Sequence, residues 1–443
     1  MPILPTACRR RFAPSRAPAL LASTCVTALL LGAPAQAKDF NTPQTAVTNA
    51  AGANTTSIMI TNTTVTGAVT NAGTITPGAA SGVAIVGIGV AGSTVGGGVV
   101  SSGTITVNPG AGGIGLGIVG AASNITNGIA NSNAIAVSGG VTDVGIVLNA
   151  STLSGGITNS AAITTTATNN AAGISVSAGA NVTSNGITNA SGGTITANGA
   201  NTGVGIIVTN ATVAGGVTNA GSIIATKGST SFGIETVGGN VSGGVVNSGT
   251  ITLSGNQAVV GIAVFSNTTN ESTVTGGVTN SGTITGNSLG KGTLSNAVGI
   301  GVGVSIVSGA VTNSGTITET SGNNAAGIVI SGGGAVAQNG VVNASGGTIT
   351  LNAAITGVGI VVSGASVAGG VTNAGTIKAT GGLTQFGIET VGGSVTGGIA
   401  NSGTITLSGA TVVAAGISIS TDTGPAASRA MCPAASPTRA RSR

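Results

Sequence analysis

The sequence predicts an all-β protein, a parallel β-helix (β-solenoid) of about twelve coils of roughly 30 residues. Three observations predict it. One short motif returns down most of the chain, apolar and hydroxyl side chains alternate within it, and the composition offers only small residues from which to build a core.

The motif is clearest as GGVTNAG at 215–221, GGVTNSGTIT at 276–285 and GGIANSGTIT at 397–406. Aligned on its asparagine, it places Asn71, Ser101, Asn131, Asn159, Asn189, Asn219, Asn247, Asn280, Asn313, Asn343, Asn373 and Asn401 at equivalent positions, 28 to 33 residues apart. The units at 159, 189, 219 and 247 return at 313, 343, 373 and 401 with a constant offset of 154, and FGIETVGG at 232–239 is repeated identically at 386–393. A five-unit cassette has been duplicated. Duplication is tolerated where each unit touches only its neighbours, as in a solenoid.

Each unit reads as three short strands, for example around 233–237, 244–246 and 249–252, with Gly pairs and Asn-Ser-Gly as turns because Gly and Asn accept positive φ. Stacked at about 4.8 Å, twelve such coils make a rod about 58 Å long. The general preference of parallel crossovers predicts right-handed winding. In-register asparagines can bond amide to amide, so a ladder is expected from Asn131 through Asn401, with Asn71 at an equivalent position before Ser101.

Composition agrees. The 443 residues include 81 Gly and five Phe but no Trp, Tyr or His, so any core is built of Ala, Val and Ile. Charged residues are 4% and mean hydropathy is +0.52, which excludes the charge-rich disordered class. A charge written into the repeat would face its own copy about 4.8 Å away, at about 1 kcal/mol per pair even in water. All eight Arg lie within residues 9–16 or 429–443. The stretch from Lys38 to Thr423 holds four Lys and seven acids, a net charge of −3. With no basic patch and few aromatics, nucleic-acid binding is not expected.

Residues 1–37 have the layout of a secretory leader: Arg9 to Arg16, an apolar run over 17–32, then Ala35-Gln36-Ala37, with cleavage expected after Ala37. Arg9-Arg10-Arg11-Phe12 lacks the following Leu-Lys pattern of a twin-arginine signal, so the Sec route is expected. Cys8 and Cys25 leave with the leader and Cys432 lies in the tail, so the body contains no disulfide. A chain that crosses an outer membrane unfolded gains from that.

The leader, the cysteine-free Gly/Thr/Asn-rich body and the GGVTNSGTIT units together resemble the passengers of autotransporters (type V secretion). The resemblance covers about residues 38–423: 38–65 as the start or cap of the solenoid and 66–423 as its repeats. It implies export to the cell surface, outer membrane or medium of a Gram-negative bacterium, a role in adhesion, aggregation or biofilm, and an outer-membrane β-barrel translocator as partner. No amphipathic ten-residue strands for such a barrel follow the repeats. The 154-residue offset predicts another VTGGVTNSGTI-like segment soon after Thr423, where residues 424–443 form a Pro/Arg-containing tail instead. Read from the third base of the Cys432 codon, the permitted triplets allow Ser-Gly-Gly-Val-Thr-Asn-Ser-Gly-Thr-Ile. The tail is therefore read as the product of a shifted frame, with a native basic tail as the alternative.

No catalytic, cofactor or metal residue is expected. Acid–base chemistry needs paired carboxylates or a His, and the acids Asp39, Asp143, Glu235, Glu271, Glu319, Glu389 and Asp422 are scattered singly. Glu235 and Glu389 read as solvated loop residues, and Phe232 and Phe386 as core or corner fillers. GIGVAG at 87–92 matches a dinucleotide fingerprint by letter alone, GNSLGKGT at 286–293 lacks the spacing of a phosphate loop, and Lys291 reads as a loop charge. Thr-Ile-Thr recurs at 74–76, 104–106, 194–196, 250–252, 283–285, 316–318, 348–350 and 404–406, a pattern similar to the Thr-x-Thr ranks of ice-binding solenoids but interrupted at Ile224 and Lys378. A surface-displayed structural or adhesive rod, presenting Thr, Ser and Asn ladders for weak multivalent contact with host, matrix or sister cells, is the expected function. Ice binding is the alternative, and a polysaccharide-acting enzyme the lesser one.

Overall fold

The computed structural model describes residues 38–288, 290 and 295–421. The leader with its cleavage after Ala37, Lys291 and the 424–443 tail lie outside the described residues. Within them every regular element is a strand, and all pairings are parallel between one coil and the next. The strands form four sheets of 14, 13, 13 and 12 members, each running the length of the rod. The fold is a β-solenoid.

Four strands make up each full coil, one more than expected from the sequence. In the coil that opens at Thr202, a long strand (Thr202–Thr209) is followed by a short one (Thr212–Ala214), then an asparagine strand (Val217–Asn219) and a threonine strand (Ser222–Ala225). The missed strand is only two or three residues in each coil, with one inward side chain such as Val213. So short a segment shows no periodicity to read.

The core fills the tube. The central residues of the threonine strands, Ile223, Ile251, Ile284, Ile317 and Ile349, are fully buried and stack in register with one another. They pack with Ile234 and Ile262 from the long strands and Val217 and Val245 from the asparagine strands. Burying each such side chain contributes about 1.5–3 kcal/mol.

Two glycine positions show what close stacking demands. The fourth residue of each complete long strand is Gly. At Gly205 an added Cβ would lie 2.3 Å from Ile223 Cγ2 and 2.6 Å from the carbonyl oxygen of Gly233. The Gly215–Gly216 pair that precedes an asparagine strand has φ of 90° and 82°, a conformation that side chains strain against. Three coils lacking that pair put Asn127–Gly128, Asn185–Gly186 and Asn339–Gly340 there, with positive φ at all three asparagines.

Candidate functional site

The asparagine strands alternate Val in, Thr out, Asn in, so each motif asparagine points into the tube and is closed to solvent at all but the last coil. From Asn131 to Asn401 each Nδ2 donates to the next Oδ1 at 2.7–2.9 Å, through Asn159, Asn189, Asn219, Asn247, Asn280, Asn313, Asn343 and Asn373. The second amide hydrogen goes to a turn carbonyl, as in Asn280 to Gly282 at 3.3 Å. Before Asn131 the column changes. Asn71 donates to Ser101 Oγ, but Ser101 turns to the Gly103 carbonyl, and Asn131 Oδ1 is left without a partner. Asn49, which lies one coil before the first aligned unit, also joins the column and donates to Asn71 at 2.8 Å. Its 22-residue spacing from Asn71 hid it. The asparagine ladder is therefore internal and, apart from Asn401 at the last coil, is not among the ladders the rod presents, contrary to the expectation from sequence, because the third residue of this strand shares the inward side with its Val or Ile.

The outward side of the threonine sheet is the surface the rod presents. The first and third residues of Thr-Ile-Thr point out while the Ile points in. Register aligns Thr250, Thr283, Thr316 and Thr348 in one row and Thr252, Thr285, Thr318 and Thr350 in the next. The rows repeat at about 4.8 Å along the rod and stand about 6.7 Å apart. Beyond them Ser254, Asn287, Thr320 and Asn352 form a third neutral row. Ile224 and Lys378 interrupt the second row on either side of these four coils.

The acids lie elsewhere than their reading as solvated residues. Glu235 and Glu389 sit in long strands, 1% and 3% exposed. Burial pushes the Glu235 carboxyl up to about 8. The loop expectation failed because each acid sits in a strand whose two faces are both covered, which alternation cannot reveal. Phe232 and Phe386 pack in the cluster on the outer face of the same sheet rather than in the central core.

Two acids point into the tube itself. Asp143 Oδ1 accepts the Gly115 N–H and Oδ2 the Gly140 N–H, both at 3.1 Å. Burial raises its pKa to about 6, against the lowering effect of those two bonds. Glu319 follows a Thr-Ile-Thr and takes the inward place held by Leu351 in the next coil and Gly286 in the one before. A Cβ on Gly286 would lie 2.0 Å from Glu319 Oε2, so this glycine makes room for the acid. Neither Glu319 oxygen has a hydrogen-bond partner, and burial holds its carboxyl well above the ordinary value.

Among the described residues no three His, Cys, Asp or Glu side chains cluster as metal ligands. No helix among them is long and apolar enough to cross a membrane. Comparison with family models, with curated proteins and with solved structures finds no match.

Proposed function

We propose that the chain is the rod-like passenger of an autotransporter-type protein, exported by the Sec route and displayed on a Gram-negative cell, where it acts in adhesion or aggregation. The observation that carries this reading is the outward threonine sheet. Its neutral hydroxyl rows repeat at fixed spacing, so many weak hydrogen-bonding contacts can be made at once, and their avidity exceeds that of any one contact. The buried part of the rod is structural. Catalysis has little support: the chain has no His, and the repeated Glu235 and Glu389 lie five coils apart.

The test is to delete the gene and to replace it with a variant carrying Thr252→Val, Thr285→Val, Thr318→Val and Thr350→Val. Loss of cell aggregation or surface attachment in both strains, with the variant still exported, is the expected outcome. Full aggregation in the deletion strain would overturn the reading.

A second reading, ice binding, is favoured by one observation, the unbroken four-by-two threonine array between Ile224 and Lys378. Thermal hysteresis of the purified chain decides it. A freezing point equal to the melting point removes ice binding and leaves adhesion standing.

A further inference from the structure

The short strands carry a second outward row, on a different sheet from the threonine array. Each turns its first side chain out and its second in, as at Asn181 and Val182. Paired in register from coil to coil, the outward positions read Thr94, Asn124, Thr152, Asn181, Thr212 and Asn240, and end at Thr273. Threonine and asparagine alternate over these seven coils, so a carboxamide returns at every second coil, about 9.6 Å along the rod. Thr64 before the row and Ile306 after it break the alternation. Asn124, Asn181 and Asn240 are exposed, and their amides bond to no other group among the described residues.

The duplicated cassette shows that stacking does not need these amides. At the 154-residue offset Thr152, Asn181, Thr212 and Asn240 give way to Ile306, Ala335, Ser366 and Ser394, and the short strands pair there in the same register. One flank of the first row is also built up. In the loop at 266–271, Asn267 Nδ2 and Asn270 Nδ2 donate to Asn210 Oδ1 at 2.6 and 2.9 Å, two coils back. Gly238, in the coil between, leaves the room, since a Cβ there would collide with Asn267. The loop thus lies along the corner that borders Thr212 and Asn240, and it sets the exposed Glu271 two residues before Thr273.

We propose that this row binds a neutral, extended β-1,4-linked glycan of the cellulose or chitin kind, laid along the rod axis. In such a chain each sugar is turned over relative to the one before it. The same hydroxyl edge therefore faces one side at every second sugar, a rise close to two coils of the rod. A carboxamide offers that edge both a donor and an acceptor, and the threonine between takes the inverted sugar. From Thr94 to Thr273 the row is about 29 Å long, room for about six sugars. The row holds no cation and ends beside Glu271, which disfavours an anionic polymer. It holds no aromatic ring on which a sugar could stack, so each contact is weak and retention depends on their number. A coiled α-linked glucan does not keep the two-coil period.

Retention of the purified full chain on microcrystalline cellulose, on chitin and on insoluble amylose tests the proposal. The wild type is expected to be held by cellulose, chitin or both, and not by amylose; which of the two holds it identifies the sugar. The triple variant Asn124→Thr, Asn181→Ala and Asn240→Ser takes its residues from the row itself and from the duplicated cassette. It should keep the wild-type melting temperature and bind at least about tenfold more weakly. A variant carrying Thr252→Val, Thr285→Val, Thr318→Val and Thr350→Val on the threonine sheet should bind as the wild type does. A wild type that neither cellulose nor chitin retains overturns the proposal, as does equal retention on amylose or a triple variant that binds unchanged. The result is independent of the adhesion reading, because the row lies on a different sheet from the threonine array.

Discussion

The asparagine column and Glu319 both bury polar atoms in the same tube, and they fare differently. Every asparagine from Asn159 to Asn373 finds an acceptor above and a donor below, because its neighbours in the adjoining coils are asparagines too. Glu319 has Gly286 on one side and Leu351 on the other, and its oxygens have no partner. Repetition makes buried polarity self-satisfying, whereas the same depth penalises a residue that occurs once. Ser101 shows the intermediate case: a single departure from the column orphans the oxygen of Asn131.

Breaking the column in its middle is expected to have the largest effect. Asn280→Ala removes the bonds from Asn247 and to Asn313 and leaves an orphaned oxygen on Asn313, with an expected loss of about 3 kcal/mol in denaturant unfolding. Asn401→Ala, at the exposed last coil, is the matched control and should lose under about 1 kcal/mol. Equal losses at both sites would mean that the column's interior carries no special weight.

Converting the lone acid into its neighbour comes next. Glu319→Leu copies Leu351 and is expected to stabilise the rod by about 2 kcal/mol at neutral pH, read from the same unfolding midpoint. A destabilised variant would show that the acid has a partner after all.

The pH dependence sharpens the same contrast. With its folded pKa well above 4.5, Glu319 keeps its proton in the rod over a range where the unfolded chain has lost it. Its contribution to stability is therefore fully present below pH 4.5 and falls as pH rises toward the folded value, by about 1.4 kcal/mol per pH unit. Asp143 acts in the same direction between 3.8 and about 6. Melting temperature should fall from pH 5 to pH 8, and less steeply in Glu319→Leu. A flat wild-type profile would contradict the buried-acid account.

Thr318→Val should change least. It lies on the half-exposed outer row, and a shift under about 0.5 kcal/mol is expected. A larger loss would place the outer rows among the determinants of stability.

Much of this architecture was legible in advance. The spacing of the asparagines sets the coil length, and the Thr-Ile-Thr triplets carry the two-residue alternation that separates inside from outside, whereas the inward side of the asparagine in Val-Thr-Asn was not read, because a polar residue was assigned to the outer face. Glu235 was not legible, because its strand, TSFGIETV, is buried on both faces and its glycine breaks the alternation. The outward threonine rows were visible as a pattern, while their register awaited the pairing of coils.

By itself the sequence determined the repeat, its length and the neutral ladders. All of these follow from one unit stacking on near-copies of itself, so that a residue's neighbours are already written in the motif. Tertiary structure alone decided the fate of the residues that break the repeat. Whether Glu319 meets a partner depends on Gly286, 33 residues earlier, and Leu351, 32 residues later. Whether Phe232 belongs to the tube or to an outer stripe depends on which way a bent eight-residue strand turns its two apolar faces. Local alternation carries no information about either, since both are set by contacts one full coil away.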